Sequence, residues 1–504
     1  MRNKTLNMDT KIAEYQPVIG LEVHVQLKTN SKMFCSCPTV FGAIPNTNIC
    51  PVCTGQPGVL PVANRKAVEL SIKTALALGC TINNLSIFAR KNYFYPDLPK
   101  NYQISQYESP FGMDGVLEID IHGKAKKIRI KRVHLEEDTG KLLHSIGSTE
   151  LDYSLIDFNR SGLPLLEIVT EPDITSPEEA WSYLTGLRNL LRYIDVSDCD
   201  MEKGSFRCDA NISVRDSAMA DTGKLGIKTE IKNLNSFKAV KDALGYEINR
   251  QVKQLKAGKE VVQETLLWND RQGRTESMRT KESAHDYRYF PEPDLPPFEF
   301  SGNLLEKLKG ELPELPHQRK KRFISEYLLT DYDADVLTSA KGLADYFESG
   351  VNEAKDSVPP DASLKFAKPF ANWVNTELTG RLNARGQTIE GCSVSAGYLA
   401  RLVVMVCEEK ISNNIAKQVL DDMFETGRKP EEIIQEKGLT QISDEKEISG
   451  LIDKVIEENP IPVEEYRGGK KQALGALVGA VMKKSGGRAN PQMVNRILRT
   501  KLGG

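Results

Sequence analysis

The chain has 504 residues, 40% hydrophobic and 27% charged, with 67 basic and 69 acidic side chains and a net charge of −2. That length predicts roughly three domains of ordinary globular composition, and so balanced a charge argues against a protein that coats nucleic acid indiscriminately. The longest apolar runs fall far short of the ~20 residues needed to span a bilayer. The N-terminus, MRNKTLNMDTKIAEYQ, has no apolar core and includes Asp9 and Glu14, so no targeting peptide is expected and the cytoplasm is the expected location.

In chain order, LEVHVQL alternates strictly, with Leu21, Val23, Val25 and Leu27 on one face of a strand and Glu22, His24 and Gln26 on the other. Next come Cys35, Cys37, Cys50 and Cys53, spaced Cys-x-Cys, twelve residues, Cys-x-x-Cys. Two thiolate pairs joined by a short loop suit tetrahedral zinc. Four sulfur ligands leave no position for water or substrate, so the quartet reads as a structural staple; reduced thiols without metal are the alternative. The other five cysteines (Cys80, Cys199, Cys208, Cys392 and Cys407) are scattered and odd in number, which predicts no disulfide framework. A helix is expected over 64–78.

Three adjacent acids, Glu136, Glu137 and Asp138, follow in RVHLEEDTGK, where self-repulsion calls for a cation. In GLPLLEIVTEPD, Glu167 is flanked by Leu165, Leu166, Ile168 and Val169; a carboxylate in such a strand must be paired or bind a cation. Ser176 and Pro177 then start a helix. SFRCDANISVR alternates again, placing Arg207, Asp209, Asn211, Ser213 and Arg215 on a polar face, and GIKTEIKN places Lys228, Glu230 and Lys232 likewise. The expected fold class is therefore α+β, with a largely antiparallel sheet that is apolar on one face and polar on the other.

Four prolines in YFPEPDLPP (289–297) mark a boundary, beyond which the apolar period becomes helical. Val336, Leu337, Ala340, Leu343, Ala344 and Phe347 form one stripe, Phe370, Trp373, Val374 and Leu378 another. Near the C-terminus Leu474, Leu477, Val478, Val481 and Met482 share a face, and Asn490 with Pro491 starts the last helix. The expected domains are a cradle over 1–298, a helical domain over 299–424 and a helical tail over 425–504. Residues 431–465 carry eleven acids and three bases, whereas 466–504 carry nine bases and no acid. Such segregation suits a directed phosphate-binding patch.

Hard carboxylate oxygens and an imidazole on separate strands suit magnesium better than zinc. No P-loop motif and no kinase Gly-rich loop with HRD and DFG is present.

The motifs VIGLEVHVQLKT, RKNYFYPDLPKNYQISQ, HLEEDTGK, IDFNRSGLPLLEI, MEKGSFRCDANIS, KNLNSF and DYRYFPEPDLPP occur in this order. Together they resemble the B-subunit family of aspartyl/glutamyl-tRNA amidotransferases, over residues 15–504. The resemblance implies conversion of Glu-tRNA(Gln) to Gln-tRNA(Gln), of Asp-tRNA(Asn) to Asn-tRNA(Asn), or both. A protein of this family would activate the aminoacyl side-chain carboxylate with ATP and Mg²⁺. An amidase-type A subunit would supply ammonia, and a small C subunit would complete a heterotrimer. Carried onto matching positions, the magnesium ligands would be His24, Glu137 and Glu167, with Glu22 nearby; the motif match favours Glu137 over Glu136. Arg160, Lys203, Arg207, Asp209 and Lys228 are the candidates for nucleotide and substrate. Lys470, Lys471, Lys483, Lys484, Arg488, Arg496 and Arg499, with Arg467, would contact the tRNA backbone. Family members do not uniformly keep the four cysteines, which fits a structural role. The rival reading is a noncatalytic tRNA-binding scaffold; a second, the archaeal-type glutamate-specific paralogue, carries an extra domain for which this chain has no room.

Overall fold

A computed structural model describes residues 14–147, 149–280, 286–355, 360–439 and 444–503. The chain divides into two compact units, the first ending at Leu315 and the second starting at Pro316.

Strand β1 (Tyr15–Gln26) is central to the first unit, and its alternation works as expected: Leu21, Val23 and Val25 are fully buried while the intervening residues are partly exposed. The remaining strands of its sheet are β2 (Thr81–Ile82), β6 (Gly112–Ile121), β7 (Lys124–Glu137), β10 (Pro164–Thr170), β11 (Phe206–Asp216), β12 (Thr229–Lys232), β13 (Glu264–Asn269) and β14 (Arg274–Thr280). Among the described residues these nine strands run in the order β14-β13-β12-β11-β1-β10-β7-β6-β2. All neighbours are antiparallel except β12 and β13. Two short strands, β3 (Leu85–Ser86) and β16 (Phe298–Glu299), pair with each other, as do β8 (Lys141–Ile146) and β9 (Thr149–Asp157). A third small sheet joins β4 (Ala89–Asn92), β5 (Tyr102–Ser105) and β15 (Phe290–Pro291).

One face of the large sheet is the core. Helices α1 (Arg65–Ala77), α2 (Pro177–Tyr193) and α3 (Phe237–Lys256) pack on it and share its cluster of buried apolar side chains. Their starts follow local chemistry: Ser176 accepts from the Glu179 N–H with Pro177 in the first turn, and Ser236 accepts from the Ala239 N–H. The opposite face stays polar and carries the candidate site. The strand expected over GIKTEIKN is shorter than its alternation suggests, pairing only at residues 229–231 with β11, and Ile227 is exposed. Helix α4 (Gly302–Gly310) packs on α1, and Leu304, Leu305, Leu312 and Leu315 join the first core. The first unit therefore runs past the proline-rich segment.

The second unit is helical and holds two separate cores, one spanning Phe323 to Ile434 and one Ile448 to Leu502. The apolar stripe from Val336 to Phe347 belongs to two helices, Asp331–Leu337 and Lys341–Lys355, and Ala340 between them is exposed. In the tail the acidic and basic halves interlock: Lys470 pairs with Glu465, Lys484 with Glu458, Arg496 with Glu445 and Lys501 with Asp453. Among the described residues the side chains of Arg467, Lys471, Lys483 and Arg499 form no ion pair and are exposed. The basic patch is thus smaller than the sequence block. No helix among the described residues is long and apolar enough to cross a membrane.

Candidate active site

Sheet register builds the site. His24 on β1 lies opposite Glu167 on β10 and Arg207 on β11, and Glu167 lies opposite His134 on β7. Neighbouring strands set these residues side by side, so one row, Arg207–His24–Glu167–His134, crosses four strands on the polar face. Glu136, two residues beyond His134, points to the same side. His24 Nε2 is 3.4 Å from Glu167 and 3.9 Å from Glu136, and His134 Nε2 is 3.3 Å and 3.7 Å from the same two carboxylates. Ligand atoms of His24, Glu136 and Glu167 all lie within 4.8 Å of one another, close enough to share one metal ion.

Burial disfavours both carboxylates as anions, yet the imidazoles outweigh it. Against burial, the charge and hydrogen bonds of His134, with the hydrogen bond from His24, hold Glu167 well below the usual carboxylate range; Glu136 is lowered chiefly by His134. Burial would lower the imidazoles, but Glu167 and Glu136 prevail, raising His24 and pushing His134 up to about 9. The two carboxylates thus favour positive charge at the point where a cation fits. Two hard carboxylates and one imidazole nitrogen suit a hard or borderline divalent ion and leave coordination positions open.

Further groups close round this row. Arg132 Nε lies 3.3 Å from His134 Nδ1 and its Nη2 lies 3.6 Å from Glu167. The Ser105 hydroxyl donates to Glu136 (3.1 Å). The Lys91 ammonium sits 4.9 Å from the ring centre of Tyr287 and 5.7 Å from that of Tyr93, and the charges of Glu136 and Glu167 help raise it against burial.

The expected residues divide into groups. His24 and Glu167 meet, and Glu22, on the same face, accepts from Asn211 (2.8 Å). Asp138 receives Arg207 (2.9 Å) and Gln26 (2.8 Å), with Arg160 at 3.9 Å; Arg160 itself donates to the Thr139 and Gly140 carbonyls. Asp209, opposite Glu22, accepts from Lys232 (2.8 Å). Lys203 lies in the turn before β11, 3.3 Å from Asp200, and Lys228 is exposed ahead of β12; neither contacts the row.

Glu137 differs from the expectation. Adjacent strand residues face opposite ways, so its carboxylate leaves the row, pairs with Lys100 and accepts from the Ile104 N–H (3.0 Å). Glu136 takes its place. The pattern Arg132, His134, Glu136 against Val133, Leu135, Glu137 carries this signal, since Val133 and Leu135 mark the core side. The same pattern points to His134, whereas no sequence rule singles out Lys91 or Ser105.

The cysteine quartet forms a second centre. Its four Sγ atoms lie within 4.8 Å of one another, so Cys35, Cys37, Cys50 and Cys53 can hold one ion, and four thiolates suit zinc. Without metal, the hydrogen bond from Cys35, against burial and aided by the Cys50 N–H, lowers Cys53 to about 4, while burial pushes Cys37 up to about 11.

Residues 17–306 match the family described as the GatB/GatE catalytic domain, and residues 345–502 that described as the GatB domain. The chain is 52% identical over 489 residues to the B subunit of an aspartyl/glutamyl-tRNA(Asn/Gln) amidotransferase of Carboxydothermus hydrogenoformans, covering 97% of this chain and 99% of the relative. A protein of the same name from Thermoanaerobacter pseudethanolicus is 52% identical over 491 residues, 97% of this chain and 99% of its own. The one from Persephonella marina is 50% identical over 489 residues, 97% and 100%. With both family matches and near-complete coverage of these relatives, the chain belongs to the B-subunit family of aspartyl/glutamyl-tRNA(Asn/Gln) amidotransferases.

Proposed function

We propose that this chain is the carboxylate-activating subunit of a tRNA-dependent amidotransferase. It phosphorylates the side-chain carboxylate of Glu-tRNA(Gln) or Asp-tRNA(Asn) with ATP, and ammonia then displaces the phosphate. The observation that carries this reading is the junction of His24, Glu136 and Glu167 across three adjacent strands.

A carboxylate resists ammonia because its oxygen is a poor leaving group. Transfer of the γ-phosphoryl group breaks its bond to ADP and forms one to the carboxylate oxygen, giving an acyl phosphate. Attack by ammonia forms the C–N bond, the C–O bond breaks, and phosphate leaves, taking up the proton that nitrogen loses. Two anions must first be held together, a task of positioning and charge compensation. His24, Glu136 and Glu167 would hold Mg²⁺, which when bound neutralises phosphate oxygens. Glu22 stands beside them. Lys91, Arg132 and Arg207 offer fixed positive charge, while Arg160 braces the Asp138–Gly140 loop and Asp209 fixes Lys232. Tyr93 and Tyr287 shield one side of Lys91. Lys203 and Lys228 are left to contacts with the substrate's outer parts.

In this reading ammonia comes from an amidase-type A subunit, a small C subunit completes the heterotrimer, and the reaction takes place in the cytoplasm. The chain works as a cradle, a helical domain and a tail. The tail binds tRNA through exposed Lys471, Lys483 and Arg499, with Lys470, Lys484, Arg488 and Arg496 at the margin. The test is ADP formation by the chain assembled with its A and C partners, supplied with ammonium, ATP and misacylated tRNA. ADP should form in step with amidated tRNA, and both should fall by about 10²–10³-fold in E167Q. Amidation undiminished in E167Q would leave the chain a tRNA-binding scaffold.

A further inference from the structure

Lys32 is 1% exposed, among the most buried large side chains of the protein. An ammonium so placed is prohibitively unfavourable unless it meets negative charge. Yet among the described residues no carboxylate pairs with it. Its Nζ donates to the Phe158 carbonyl (3.1 Å) and to Cys53 Sγ (3.5 Å). Glu137 comes near, but its Oε1 is held by Lys100 and the Ile104 N–H and it forms no ion pair with Lys32. A neutral thiol is a weak acceptor and offers a buried cation little. A thiolate is the partner this ammonium requires.

The surroundings hold that contact in place. The Lys32 N–H donates to the Cys37 carbonyl (3.0 Å), tying the lysine to the first thiolate pair. The Ser161 hydroxyl donates to the Cys53 carbonyl (3.2 Å), and the Cys50 N–H donates to Cys53 Sγ (3.2 Å). Gly162, at φ +81°, takes a backbone conformation that side-chain-bearing residues rarely adopt, and it packs beside Cys53 and the lysine stem.

Four thiolates round a dication leave two net negative charges in a low-dielectric knuckle. We propose that Lys32 is the built-in counter-cation of the cysteine quartet, holding zinc's surplus thiolate charge through Cys53 Sγ. This rests on the reading of the quartet as a zinc site. An ammonium donating to one ligand acts like other outer partners of metal ligands, whose loss weakens metal binding by about 10–100-fold.

The experiment compares full-length parent, K32M and K32R for zinc per chain, rate of zinc transfer to a chromogenic chelator, and melting temperature with and without zinc. The parent should carry one zinc. K32M should release it about tenfold faster or more, K32R should stay near the parent, and the melting gap of K32M should close once zinc is stripped. A second pair leaves the lysine untouched: C50S and C53S each remove one ligand, but only C53S strands the ammonium. Zinc-stripped C53S should therefore melt below zinc-stripped C50S. Zinc in the parent with unchanged release from K32M overturns the role of Lys32 alone, as does a K32M melting deficit equal in both states or equal melting of the stripped serine variants. A parent without zinc overturns the zinc site together with it.

Discussion

Among the described residues, the two metal-competent centres of the first unit differ in every respect that decides what such a centre can do. The quartet of Cys35, Cys37, Cys50 and Cys53 is built within one knuckle, from four soft ligands, as many as a tetrahedral ion takes. The cluster of His24, Glu136 and Glu167 draws one residue from each of three strands, uses mostly hard ligands and leaves half of a six-coordinate cation's sphere unclaimed. A closed soft site can only hold; an open hard site can hold and also present phosphate. The difference is one of completeness as much as of ligand type.

The sharpest break in that comparison is E167Q or H24A. Either should lower the rate of ADP formation by about 10²–10³-fold, the scale of losing a preorganised charge contact, with the fold retained by circular dichroism. E136Q should approach this loss, whereas E137Q should fall well short of it. C50S should do the reverse of E167Q: lower stability by several kcal/mol on the scale of a lost structural metal, and leave turnover of the folded fraction unchanged. Equal loss of stability and turnover would make the quartet part of the chemistry.

A smaller effect comes from the tail. Replacing Lys471, Lys483 and Arg499 together by Glu should weaken tRNA binding and reduce the slope of log affinity against log salt by about 2–3, counting about 0.7–0.9 per lost phosphate contact. K470E should change it less, because Glu465 already holds that charge. The smallest effect is in pH. His134 is raised to about 9 in the metal-free fold, against about 6.5 unfolded, so its contribution to stability is complete below pH 6.5 and is lost as pH rises through 9. Melting of the chelator-treated protein should fall over that window. Magnesium, competing with these protons, should bind more tightly across it.

Much of this was legible in the sequence, and the exceptions have definite causes. The alternation in LEVHVQL and SFRCDANISVR placed His24, Arg207 and Asp209 on one face, and the apolar flanks of Glu167 marked it as a charge needing a partner. The strand pattern around HLEED puts Glu136, with Arg132 and His134, on the polar face, whereas the family resemblance points to Glu137. Lys32 was not legible: a lysine in TNSKMFC looks like surface, and the carbonyl that receives it, Phe158, lies 126 positions along the chain. The ion pairs of the basic tail were not legible for a similar reason, since Glu445, Asp453 and Glu458 return to it through helix packing.

The central claim is tested most directly by titrating Mn²⁺, a spectroscopically visible stand-in for Mg²⁺, into the parent, E136Q and E137Q. One tight site should appear in the parent and in E137Q and be lost in E136Q. Retention in E136Q with loss in E137Q would contradict the row of His24, Glu136 and Glu167 as the cation's seat.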